Sequence, residues 1–144
     1  MTTTRVLIAD NHPLVRQTLH RVLSQETDID ARATADNRQA VEAALRDRGA
    51  DIVIISAGYQ PTSIDAFLRQ QRKCLPGIKL IIMSLHTDRH YVDTAFRMGA
   101  AAYLLKSSAY EELPGAVRCV SQKSRYIGRD ISGGPQCRQD SWSC

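Results

Sequence analysis

This sequence lacks the features that would mark a membrane protein, a disulfide framework or a nucleotide-binding enzyme. No apolar run approaches the ~20 residues that a bilayer-spanning helix needs. The N-terminus "MTTTRVLIAD" passes directly into a strand-like segment, so no signal peptide is expected, and the chain is read as cytoplasmic and free of membranes. The four cysteines, Cys74, Cys119, Cys137 and Cys144, form no Cys-x-x-Cys pair, and no histidine stands at metal-finger spacing. They are therefore read as free thiols. Neither a G-x-x-x-x-G-K loop nor a G-x-G-x-x-G loop is present, which argues against nucleotide binding. A strong charge of one sign is also missing. The net charge of +4 comes from basic residues scattered among acids, and this permits a nucleic-acid role without arguing for one.

What is present suits one compact α/β domain. The chain has 144 residues, 43% hydrophobic and 24% charged, in the ordinary globular range. "RVLIA" at 5–9 has the form of a buried parallel strand. A helix follows, with Leu14, Val15, Leu19, Val22 and Leu23 at helical spacing and Pro13 in its first turn. A weaker strand at 29–35 leads to a second helix from Arg38 to Gly49, capped by Asp36 or Asn37. "DIVIIS" at 51–56 is the third strand, and "SIDAFLRQQRKC" the third helix. "IKLIIMS" at 78–84 is the fourth strand, followed by a helix that stops at Gly99. "AAYLLK" at 101–106 is the fifth strand, and "YEELPGAVRCVSQK" the fifth helix. Pro114 is tolerable there if the helix starts near Tyr110 or Glu111.

Five strands alternating with five helices predict a single doubly wound α/β domain with a five-stranded parallel sheet. Its functional groups are expected at the carboxyl ends of the strands, at Asp10-Asn11, Ser56, Ser84 and Lys106. The glycine- and serine-rich segment after Tyr126 has no apolar periodicity. The expected division is thus a domain over 1–126 and a linker or disordered tail over 127–144.

"RVLIADNHPLVRQTL", "IIMSLH", "YVDTAFRMGAAAYLLKSS" and "EEL", in this order, resemble the receiver domains of bacterial response regulators, and within them the NarL/FixJ type. The resemblance implies the CheY-like (βα)5 fold with strand order 2-1-3-4-5. It also implies a site in which two adjacent acids and a third-strand Asp hold Mg²⁺. That Asp accepts a phosphoryl group from a histidine kinase, and a Ser or Thr and a Lys contact the phosphoryl oxygens. Asp10 matches the first acid, Ser84 the Ser/Thr position, Lys106 the lysine and Tyr103 the switch aromatic. Asn11 stands where the second acid is expected and Ser56 where the phosphoacceptor is expected. Gln60 replaces the usual Pro, with Pro61 one place late, and Ile64 replaces a Gly.

These departures bear on the chemistry. Three carboxylates would give the pocket about −3 of charge for a hard divalent cation. With Asn11 and Ser56 neutral, Asp10 alone remains, and Lys106 offsets it, so Mg²⁺ is expected to bind weakly or not at all. The same reasoning predicts an Asp10–Lys106 ion pair that locks one conformation. Ser56 lacks an evident base, and "IISAG" lacks the leading glycine of a nucleophile elbow, with Ile54 in its place. His12, His86 and His90 are read as surface or loop residues, and no enzyme is expected.

The resemblance implies an atypical receiver, a phosphorylation-independent signalling or dimerisation module from a helix-turn-helix transcriptional regulator. The alternatives are an active phosphorelay receiver with a non-standard acceptor, or a stand-alone partner-binding module. The interface face would carry Arg89, Asp93, Arg97 and Glu111 toward a second copy or another protein. A histidine kinase is an expected partner by resemblance, and DNA is expected only through a C-terminal domain not in this chain.

Overall fold

The computed structural model describes residues 3–10, 13–33, 50–56, 78–85, 87–97, 99–128, 131 and 136–138. Its elements in chain order are β1 (Thr4–Ala9), α1 (Pro13–Ser24), β2 (Ile29–Ala33), β3 (Ile52–Ser56), β4 (Lys79–Ser84), α2 (Arg89–Arg97), β5 (Ala102–Leu105), α3 (Ala109–Ser121), β6 (Arg125–Ile127) and β7 (Gln136–Arg138). The expected second and third helices lie outside the described residues, so α2 and α3 are the expected fourth and fifth.

The strands form one sheet in the order β2-β1-β3-β4-β5-β6-β7. The order 2-1-3-4-5 is thus the expected one, and every pair within it is parallel. The sheet goes further than the five strands read from the sequence. β6 adds to β5 in parallel, and β7 turns back antiparallel on β6, inside the segment expected to be a linker or disordered tail.

Burial on both faces explains why the central strands read as unbroken apolar runs. Ile52, Val53 and Ile54 of β3 are each 0% exposed. Ile52, Ile54, Ile81, Met83, Ala102 and Leu104 face one core with Leu19 and Leu23 of α1 and Leu113 and Val117 of α3. The alternate positions, Val53, Ile55, Leu80, Ile82 and Tyr103, face a second core with Val92 and Ala95 of α2. Each fully buried aliphatic side chain stabilises the fold by roughly 1.5–3 kcal/mol, so these two layers hold the sheet.

Two helix ends set the strands that follow. At the end of α2, Gly99 has φ 109°. Its N–H donates to Phe96 O at 3.0 Å, and Ala100 N–H donates to Ala95 O at 3.0 Å. This pairing satisfies the last carbonyls as glycine-terminated helices do. α3 ends in the same bonding pattern, Lys123 N–H to Val120 O at 2.9 Å and Ser124 N–H to Cys119 O at 3.1 Å. Here a lysine occupies the left-handed position, with φ 64°. α3 begins at Ala109, one residue before the expected start at Tyr110 or Glu111, and Pro114 lies inside the helix rather than in its first turn. The Tyr110 carbonyl loses its amide partner, and Tyr110 is exposed, so water can serve it.

Candidate functional site

The sheet register gathers the strand-end residues. Ala9 is level with Ile55, Ser56 with Met83, and Ser84 with Leu105. Asp10, Ser56, Ser84 and Lys106 therefore stand within about one residue of a common level at the carboxyl edge. The Lys106 amide donates to the Ser84 carbonyl at 2.7 Å, which ties the loop after β5 to the end of β4. Asp10 and Ser84 are buried and Lys106 is half-buried. Asn11 lies outside the described residues, and Ser56 is placed by its backbone at the end of β3.

Two contacts in this region were not foreseen from the sequence. The Arg16 guanidinium of α1 donates to the Asp10 carbonyl at 2.6 Å and fixes the turn after β1 from the helix side. The hydroxyls of Tyr103 and Ser84 are hydrogen-bonded, which joins the switch-aromatic position to the Ser/Thr position. Burial raises the Tyr103 phenol above its usual value, and the Ser84 hydrogen bond opposes part of that rise. The expected Asp10–Lys106 ion pair is not among the ion pairs of the described residues. Lys106 is held there by its backbone.

The interface residues resolve differently. Arg89 and Asp93 of α2 pair with each other at 3.5 Å across one helical turn, an exposed contact of small energetic worth. Arg97 is exposed in the last turn of α2, and Glu111 is exposed in the first turn of α3, where a negative charge complements the helix dipole. Arg89, Asp93 and Arg97 line a cleft of about 350 Å³ with Phe96, Arg125, Ile127 and Ile131. The Arg125 guanidinium stacks over the Phe96 ring at 5.6 Å. Arg125 belongs to β6, which the sequence reading did not place, so its part in this cleft was not legible. His90 is exposed on α2, while His12 and His86 lie outside the described residues.

The free-thiol expectation fails at Cys119, which is disulfide-bonded. The sequence offers no sign of this, because the four cysteines show no pairing pattern in their spacing.

A sequence model of the response regulator receiver domain matches residues 6–118. The chain belongs to the response regulator receiver family. Among curated proteins, this receiver is 30% identical over 130 residues to the oxygen regulatory protein NreC of Staphylococcus epidermidis, covering 89% of this chain and 59% of that protein. It spans between 52% and 59% of the length of these two curated relatives, the other being the transcriptional regulatory protein DegU of Brevibacillus brevis. The isolated receiver domain of RcsB from Salmonella enterica superimposes with a TM-score of 0.82 at 17% identity, covering 91% of this chain and 97% of that one. RcsB has also been solved as two dimers bound to two parallel DNAs, with a TM-score of 0.79 at 17% identity, covering 92% of this receiver and 67% of that chain. These structural likenesses establish the CheY-like fold.

Proposed function

We propose that this receiver is an atypical one that works without phosphorylation, as a dimerisation or partner-docking module of a transcriptional regulator. The observation that carries this reading is the serine at the end of β3, level with Met83 beside the buried Asp10 and Ser84. A serine there offers an alcohol in place of a carboxylate, so it can form neither an acyl phosphate nor a charged metal ligand. With one acid remaining and Lys106 nearby, Mg²⁺ binds weakly or not at all, and no group-transfer chemistry remains. By likeness to RcsB, solved as dimers on DNA, the partner is a second copy or another protein, and DNA is reached through a domain outside this chain. The receiver acts in the cytoplasm.

A second reading, phosphorelay through a non-standard acceptor, draws on the retained Ser84 and Lys106. One experiment tests both. Light scattering with and without Mg²⁺ and beryllofluoride should give the same mass in each condition. A shift in mass with both ligands present would overturn the phosphorylation-independent reading. A Mg²⁺-dependent gain of phosphate from acetyl phosphate would then establish the relay.

A further inference from the structure

We propose that Cys119 and Cys137 form a reversible thiol–disulfide pair, which fastens the β6–β7 hairpin to α3 when oxidised and releases β7 when reduced. Cys119 lies on α3, is 4% exposed and is disulfide-bonded. Its sulfur sits 3.3 Å from the carbonyl oxygen of Arg125, the first residue of β6. The other cysteines are Cys74, Cys137 and Cys144, and Cys137 is the central residue of β7. Cys137 occupies the β7 register position opposite Tyr126, while Arg138 stands opposite Arg125. Directly opposed positions of an antiparallel pair share one sheet face. The face of Tyr126 is the one α3 covers, since the Tyr126 hydroxyl donates to Glu112 of α3 at 2.7 Å. The register therefore puts position 137 on the sheet face that α3 covers, one strand beyond Tyr126.

The hairpin is suited to reversible closure. β7 is a strand of three residues held by one neighbour. Such a short edge element opens locally without unfolding the core, which brings the sulfurs within reach of solvent thiols. The oxidant is a small-molecule disulfide such as oxidised glutathione. One cysteine thiolate attacks it and expels a glutathione thiolate. The second cysteine thiolate then attacks the mixed disulfide and expels the other. The protein loses two protons and two electrons, and one oxidised glutathione becomes two reduced ones. Ile131, which donates its amide to the Gly128 carbonyl at 3.0 Å, lies between the two strands and lines the arginine cleft beside α2. Release of β7 thus alters one wall of that cleft.

The test uses the full chain equilibrated over a series of glutathione ratios. Free thiols are alkylated, the protein is digested without reductant, and linked peptides are found by mass spectrometry. The expected product is a Cys119–Cys137 linkage that disappears at reducing ratios while the protein stays folded. Amide exchange at Ile127, Gln136 and Arg138 should then rise by about tenfold or more, while Tyr126, whose amide donates to the Ala101 carbonyl just before β5, and β1 and β3 stay unchanged. Cys137→Ser should show the fast exchange at every ratio. Linkage to Cys74 or Cys144, persistence of the bond until global unfolding, or exchange indifferent to reduction would each overturn the proposal. The redox series on the unaltered chain decides the matter even if the variant folds poorly.

Discussion

The phenol of Tyr126, on β6, donates a 2.7 Å hydrogen bond to Oε1 of Glu112, on α3, where both residues are buried. Oε2 of the same carboxylate accepts from the Ser108 hydroxyl at 3.3 Å. This arrangement supplies a buried acid with donors and pins the sixth strand to the helix before it. Tyr126→Phe should therefore lower stability by about 1–3 kcal/mol, the cost of stripping a donor from a buried polar group. Urea unfolding read by circular dichroism would check it, and an unchanged midpoint would mean that water replaces the phenol.

Restoring the acids should restore the metal. Asn11→Asp combined with Ser56→Asp raises the pocket toward about −3. The double variant is expected to melt at a lower temperature than the parent without Mg²⁺, because like charges crowd one edge. It should regain stability as Mg²⁺ is added, while the parent does not respond. Equal responses from both proteins would show that the parent pocket already holds the ion.

The left-handed lysine at the end of α3 is a local strain that a glycine would relieve. Lys123→Gly should raise stability by about 1 kcal/mol, since Lys123 is exposed and its φ of 64° disfavours any side chain. A higher denaturant midpoint with unchanged slope is the expected result.

Arg118 joins the C-terminal half of α3 to the turn before β2. Its guanidinium donates to both carboxylate oxygens of Asp28, at 3.0 and 3.1 Å, and lies 3.1 Å from Glu26. The Arg118 hydrogen bonds hold the Asp28 carboxyl below its ordinary value. A carboxyl with a lowered folded pKa stabilises the fold above its unfolded range, and that contribution fades as pH falls through the folded value. Arg118→Ala should therefore lower the melting temperature at neutral pH, with the gap to the parent closing in acid. Because these groups are largely exposed, the gap should be small and should shrink with salt.

Much of the fold was legible, because β1, β3 and β4 are apolar runs long enough to signal burial on both faces. Gly99 announced the end of α2 for the same kind of local reason. β6 and β7 were not legible. Three residues such as "RYI" or "QCR" are too short to show a period, and their pairing depends on the turn at Lys123 and the open edge of β5. The strand-end residues were legible as positions, since each follows its strand directly. Their contacts were not. The Arg16 bond to Asp10 and the Arg118 bond to Asp28 depend on packing, and the latter spans 90 positions. The Lys106–Asp10 pair was inferred from charge alone, and charge does not say which way a flexible side chain turns.

The reversal of direction at β7 decides where the chain points. β1 to β6 all run toward the edge that carries Asp10, Ser84 and Lys106, whereas β7 runs back, so Arg138 is level with Arg125 at the far edge. A domain joined beyond this strand would be tethered at the pole opposite the pocket.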